Sequence, residues 1–424
     1  MDIEKYIEIL KKEVKPALGC TEPIAVAYAA AKAKEALGKT PESIEVQVSG
    51  NIVKNAMGVG IPGVASKGVD IAAALGATAG DASKKLQVLA GITAADAEAA
   101  EKAVKDGMVT VQLADTDEKL YIYVRCAAQQ DSGEALIRTT HTNVEFVKKN
   151  GELLNSSAEE DADSQTPDGY KDLCVEGIWQ FIHECPAKQL EFLQEGIDMN
   201  WTMAERGLKN KSGLAVGSTL FDGFALDKNP GDLYNYAAAM SAAAADARMS
   251  GIPSPVMSTA GSGNHGITAV VSVTAVAKRL HCSDEKLLRA VALSDLVTVV
   301  VKDYMGKLSA MCGCGMGASI GACFGMLYLQ DASLAQMCNA AKNIVADLSG
   351  IVCDGAKAGC ALKIATAVSS AGRCAMLAMN ERVVGIENGI VGCNFETTMD
   401  HLGRLVHEGM KETDPVMLNI LLSK

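Results

Sequence analysis

Between Lys307 and Asp331 the chain carries no charged side chain, and Gly317, Gly321 and Gly325 recur within that run at every fourth residue. Four-residue spacing places three positions on one face of a helix. Each glycine costs about 1 kcal/mol in a helix interior relative to alanine, and in return another backbone can approach closely. The uncharged length would pass for a membrane span, but Ser309, Ser319 and the cysteines Cys312, Cys314 and Cys323 suit a protein interior better than lipid. The run therefore predicts a buried helix in a tightly packed body. Composition agrees: 49% of the 424 residues are hydrophobic but only 4% are aromatic, so Ala, Val, Ile, Leu and Met must build the core. Side chains of that kind favour closely packed helices over large sheets.

Apolar spacing predicts helices over residues 2–12 and 23–37 and a strand over 43–48. Alternation then predicts strands over 109–113, 120–126, 135–142 and 144–149, with turns at 115–117 and 131–133, as an antiparallel meander. Residues 156–170 are acidic, serine-rich and almost without apolar side chains, which reads as an exposed linker. Helical patterns follow over 173–185, 188–209, 234–248, 267–280, 283–304, 334–348, 360–379 and 397–410. The expected class is α+β. An N-terminal α+β domain with an antiparallel sheet would span residues 1–155, the linker 156–170, and a larger all-α domain residues 171–424.

A net charge of −12 argues against a nucleic-acid or anionic-membrane surface, either of which needs a basic patch, so the expected partner is a small molecule. Thirteen cysteines is an odd number, and they form no short regular framework. A reduced, intracellular protein is the better reading than a disulfide scaffold. The start, Met1-Asp-Ile-Glu-Lys, shows no basic segment followed by an apolar one, and the expected location is the cytoplasm.

Chemistry concentrates at the cysteines. Cys353 and Cys360 stand seven residues apart in a Gly- and Ala-rich stretch, and Cys312-Gly-Cys314 lies upstream. Cys353, Cys360 and one of Cys312 or Cys314 would supply three thiolates, enough to hold an iron–sulfur cluster with one iron open to substrate as a Lewis acid. Zinc is the competing metal, but these pairs lack knuckle spacing in both halves. Cys20 precedes a predicted helix N-terminus, where the macrodipole favours a thiolate that titrates near neutrality. Its plain alternative is a small apolar residue before a threonine cap. Asn51 and Asn55 are placed to bind a polar ligand and Lys54 to pair with a carboxylate, against the simpler reading of turn chemistry that closes a strand. Gly261-Ser-Gly-Asn-His-Gly266 matches a dinucleotide glycine pattern, but it follows a proline-broken stretch and no clear strand. It reads better as an anion-binding loop opening a helix near Ile267, with His265 either a proton donor or simply solvated. The remaining cysteines read as small buried residues.

Taken together, Gly19-Cys-Thr-Glu-Pro23, Gly50-Asn51-x-x-Lys54-Asn55, Gly58-Val-Gly-Ile-Pro-Gly63, Gly261-Ser-Gly-Asn264, Cys312-Gly-Cys314 and Cys353-Asp-Gly-Ala-Lys-x-Gly-Cys360 resemble the L-cysteine desulfidase family, a relative of the bacterial iron–sulfur L-serine dehydratases. The resemblance implies an oxygen-sensitive 4Fe-4S cluster, without pyridoxal phosphate, and cleavage of L-cysteine to pyruvate, ammonia and sulfide. It implies Cys353 and Cys360 as ligands with Cys314 as the third, Cys312 being its rival. Cys20 would be the base. Thr21, Glu22, Asn51, Asn55, Ser262, Gly263, Asn264 and His265 would orient the amino acid. The alternatives are L-serine as substrate, a non-catalytic metal- or redox-sensing protein, and a nucleotide-dependent oxidoreductase. A homodimer is a further expectation.

Overall fold

The computed structural model describes residues 2–61, 63–64, 66–155, 170, 173–306 and 308–423. Pro62, Lys307 and all of the expected acidic linker except Tyr170 lie outside the described residues.

Helix α1 (Ile3–Glu13) is capped by Asp2, which accepts a hydrogen bond from the Lys5 amide, and it buries Tyr6, Ile7, Ile9 and Leu10. It leads into β1 (Val14–Leu18) and then α2 (Thr21–Leu37). Seven of the 17 residues of α2 are alanine and almost every residue is buried, as expected of a helix enclosed on all sides. It lies between the sheet and α4. There follow β2 (Ser43–Val48), α3 (Gly50–Ala56), α4 (Val69–Ala79) and α5 (Ala94–Lys105). The strands β3 (Val109–Leu113), β4 (Tyr121–Ala128), β5 (Asp131–Arg138), β6 (Val144–Lys149) and β7 (Glu152–Asn155) complete a six-stranded sheet of order β3-β2-β4-β5-β6-β7.

The chain is α+β, with the sheet near the N-terminus and a larger helical part after it. The meander is displaced by one strand from the expected one. β3 pairs parallel with β2 at the sheet edge, and only β4 to β7 run as consecutive antiparallel neighbours. The turn expected at 131–133 also moves: those residues open β5, and the reversal is made just before them, where Gln129 adopts φ 54°. A glutamine in the left-handed region is a poor turn signal, whereas Asp-Ser-Gly is a strong one. The segment read as a strand-closing turn at 50–55 is helix α3.

The helical part runs α6 (Val175–Glu184), α7 (Leu193–Asn210), α8 (Val216–Gly223), α9 (Leu233–Met249), β8 (Pro255–Thr259), α10 (Gly263–Gly266), a π-turn over Ile267–Val271, α11 (Ser272–Leu280), α12 (Asp284–Met305), α13 (Gly317–Tyr328), α14 (Leu334–Leu348), α15 (Cys360–Met379), α16 (Phe395–Arg404) and α17 (Thr413–Leu422). The helix expected over the uncharged run forms only in its second part, α13, buried from Gly317 to Leu327, and residues 308–316 with Cys312 and Cys314 are non-helical. A Cβ at Gly321 would overlap Thr298 and the Ser294 carbonyl of α12, so the glycine face is where those two helices touch. Cys323 lies mid-helix and donates to the Ala371 carbonyl.

Two large apolar cores result, beside a small cluster of Cys20, Val59, Met249 and Cys360. One joins α2, α4 and the sheet; the other joins the helical part with α1, whose Tyr6 stacks on Phe181 with ring centres 4.8 Å apart. β1 crosses to pair antiparallel with β8. Thus the two residues before Cys20 and the loop after Thr259 are held to one frame.

Candidate active site

A cavity of about 910 Å³ opens between the two cores, lined by residues from α2, α3, the β5–β6 loop, α9, the β8–α10 loop and both cysteine segments. Cys20, Cys312, Cys314, Cys353 and Cys360 all face it. Backbone hydrogen bonds lace the two cysteine segments together: the Cys312 amide donates to Ile351 O at 2.8 Å, and the Cys353 amide to Ala310 O at 2.7 Å. Cys312 and Cys314 lie Sγ to Sγ at 3.3 Å, and Cys360 is the first residue of α15.

The four thiols act on one another. The hydrogen bond from Cys314, opposed by burial and helped by the Gly315 amide, Lys363 and Lys302, brings Cys312 down to about 7. Cys314 is pushed up by giving that bond and by burial. Burial raises Cys353 and takes Cys360 to about 12, with the charge of Cys312 adding to both. One thiolate forms readily; the others hold their protons until a cation replaces them. Among the described residues no three His, Cys, Asp or Glu side chains converge closely enough to bind a single metal ion.

Cys20 occupies the N-cap position of α2, shares a small apolar cluster with Cys360, and its Sγ donates to Glu22 Oε2 at 3.0 Å. The expectation of a thiolate near neutrality is not met. Burial first, then the Glu22 carboxylate, push the Cys20 thiol well above its ordinary range, although Arg248 pulls the other way. Desolvation and a like charge outweigh the helix terminus here. Burial would also raise Glu22, but His141 and hydrogen bonds from Cys20 and Thr21 hold its carboxyl below the usual carboxylate range. Thr21 Oγ1 donates to it at 3.0 Å and Asn55 Nδ2 at 2.9 Å. Asn51 reaches the cavity from the same turn of α3. Lys54 does pair with a carboxylate, that of Asp414 on α17 at 2.6 Å, while also reaching Cys353 O at 3.4 Å.

The Gly261–Gly266 stretch differs from its sequence reading in two ways. A strand does precede it, but β8 runs antiparallel to β1, so no parallel βαβ unit forms. The helix opens at Gly263, four residues earlier than expected, and makes its first turn from the glycine-rich stretch itself. Ala260 and Gly261 turn the chain with φ 47° and 76°. Ser262, Asn264 and His265 line the cavity; Gly263 does not, and its Cα instead backs onto the Arg248 guanidinium. His265 is buried, not solvated. Burial, then the Lys302 charge, bring its pKa down to about 3, and its Nδ1 lies 3.1 Å from Thr259 O. The imidazole is neutral, and that carbonyl holds the proton on Nδ1.

Three site residues escape the sequence reading. Arg248 donates to Asn264 Oδ1 at 2.9 Å and Gly19 O at 2.7 Å, and its buried Nε has no hydrogen-bond partner. Lys302 and His141 also line the cavity. The signal existed for the first two, since each is a lone cation inside an apolar helical run, Ala-Ala-Asp-Ala-Arg248 and Val-Val-Val-Lys302. His141 carried none. Of the cysteines read as buried filler, Cys174 and Cys393 are exposed.

The description "Serine dehydratase alpha chain" fits residues 83–419, a span holding all four clustered thiols. The chain belongs to the serine dehydratase alpha chain family. Relatives of this iron–sulfur serine dehydratase-like chain include UPF0597 proteins from Clostridioides difficile, 42% identical over 98% of both chains, and from Clostridium tetani, 40% identical over 99% of this chain and 98% of the relative. A UPF0597 protein from Oleidesulfovibrio alaskensis is 41% identical over 99% of this chain and 98% of its own. No helix among the described residues is long and apolar enough to cross a membrane.

Proposed function

We propose that this serine dehydratase family member is a 4Fe-4S-dependent L-cysteine desulfidase, eliminating sulfide from L-cysteine to leave pyruvate and ammonia. The observation that carries the reading is the gathering of Cys312, Cys314, Cys353 and Cys360 in the lining of one cavity that Cys20, Glu22 and Asn55 also line. The donor set fits the cluster: soft thiolates select iron–sulfur centres, the thiols line a cavity of about 910 Å³, and lysines surround them. Cys353, Cys360 and either Cys314 or Cys312 would hold it. Bound there, the cluster would supply a Lewis-acidic iron that favours departure of the β-substituent.

The remaining work falls to side chains of this chain. Glu22, ionised and buried, takes the substrate ammonium, with Asn55 and Thr21 fixing its oxygens. Arg248 Nε and the amides opening α10 take the carboxylate, beside Ser262 and Asn264. Cys20 is the group assigned to the Cα proton. At rest its proton points at Glu22, so Cys20 must give that proton up to solvent before it can take the one on Cα; an ammonium that neutralises Glu22 favours this loss by removing one of the charges opposing a Cys20 thiolate. Once expelled, aminoacrylate needs no further group, because its imine tautomer hydrolyses in water.

L-serine is the second reading, favoured by the family description. The test is anaerobic reconstitution with iron and sulfide, followed by assay of pyruvate from each amino acid and of sulfide from L-cysteine. Greater turnover of L-cysteine, absent from an aerobic untreated sample, is expected. Greater turnover of L-serine would replace the substrate, and a loaded cluster with no turnover of either would overturn the lyase reading.

A further inference from the structure

Lys302, three residues before the C-terminal end of α12, is 4% exposed, yet its ammonium makes one hydrogen bond, to Ser309 Oγ at 3.3 Å. It pairs with no carboxylate among the described residues. Neighbouring lysines are partnered: Lys54 with Asp414, Lys363 with Asp354, and Lys119 with the Leu308 carbonyl. A buried cation without a counter-charge is costly. The fold is nevertheless shaped round this one. A Cβ at Gly317 would stand 3.1 Å from Lys302 Cδ, and one at Gly313 would overlap His265 Nε2 and stand 3.2 Å from Lys302 Nζ, so the two glycines form a slot that the lysine shares with the imidazole. The slot delivers the ammonium against the backbone between Cys312 and Cys314, and both thiols, with Cys353, act on its charge. Arg248 lies toward Cys20 and Asn264, and Lys54 and Lys363, which also act on the thiols, are held by Asp414 and Asp354.

We propose that Lys302 is the internal counter-ion of the thiolate cage, a positioning residue that faces at most a single thiolate in the cluster-free chain and the full negative charge of the cage once the cluster is in place. The assignment rests on the cluster reading above. An iron–sulfur core held by three thiolates is net negative, and a fixed positive charge beside it favours retention of the cluster and raises its reduction potential.

Lys302→Met, reconstituted anaerobically beside the wild type, tests this. Cluster-free variant is expected to unfold at higher denaturant concentration than cluster-free wild type, because a buried unpaired charge is gone. The loaded variant is expected to give up iron to a chelator ~10–100-fold faster, the range for residues supporting metal ligands. Its midpoint potential should shift negative. Lys302→Gln keeps a donor for Ser309 and should show the same faster loss, which separates charge from hydrogen bonding. A lysine with only a packing role predicts the reverse in the first measurement. A destabilised cluster-free variant, or unchanged iron loss and potential, overturns the assignment. Wild type that takes up no cluster overturns the reading of the site itself, and this assignment with it.

Discussion

At Glu22 one carboxylate receives hydrogen bonds from Cys20, Thr21 and Asn55, and the site's polarity turns on it. Glu22→Gln keeps the shape and removes the charge that would bind the substrate ammonium. The expected result is a fall of roughly 10²–10⁴ in kcat/KM with cluster content unchanged, measured by pyruvate release and iron analysis. Cys353→Ser and Cys360→Ser should instead lose cluster and activity together, and full iron content in either variant would remove that residue from the ligand set. Away from the reacting groups, Asp295 is wholly buried in α12; it accepts from Thr259 Oγ1 at 2.7 Å, and its Oδ2 has no partner. Burial raises its pKa from 3.8 to about 7. A carboxyl raised in this way makes the native state bind more protons than the unfolded chain, so stability falls as pH rises between those values. Asp295→Asn cannot titrate. Its gain over the wild type should be slight near about pH 4 and grow to an upper limit of ~4 kcal/mol near about pH 8, read from urea midpoints. An equal effect at both pH values would show that Asp295 does not titrate as described.

The helix pair α12–α13 shows why the glycine spacing matters. Gly321 sits against Thr298 and Ser294, Gly325 against Val273 and Ala290 O, and Gly317 against Lys302, so the same face brings the helices together and makes room for the lysine. Gly321→Leu would drive those backbones apart. A loss of at least about 1–3 kcal/mol is expected from overpacking, measured by denaturant unfolding, with cluster uptake falling in parallel. The α10 turn is read differently in sequence and in structure for a related reason. Six small or polar residues at 261–266 carry no helical periodicity, yet β8 fixes their start and Thr259 O receives the Ser262 amide and the His265 ring. Tertiary anchoring overrides weak propensity there.

Across the molecule, the site is closed by parts far apart in sequence. α17 docks on α3 through Lys54–Asp414, and Leu418 lies against Gly50, so a C-terminal helix supports residues 51–55 of the cavity wall. Lys54 is 3% exposed and Asp414 23%, a pair shielded enough to matter. Asp414→Asn leaves the lysine without its counter-charge. The expected cost is about 1–3 kcal/mol in thermal or urea unfolding, and an unchanged midpoint would show that the Cys353 carbonyl alone suffices. Cluster uptake should act oppositely, raising the unfolding midpoint of wild type because only the folded chain gathers the ligands.

The primary structure by itself determined the α+β class, the buried glycine helix and the residue types of the site, because periodicity, charge-free runs and paired cysteines are local signals. It placed Cys20, Glu22, Asn55, Cys353 and Cys360 without showing that they face one cavity. Only the tertiary structure decided the protonation of Cys20, the neutrality of His265 and the parts of Arg248 and Lys302. Each depends on what surrounds a group after burial: which carboxylate lies beside it, how much water is lost, and which cation is left unpaired. Those surroundings come from segments hundreds of residues apart, as with Arg248 and Gly19 O, and no spacing along the chain encodes them.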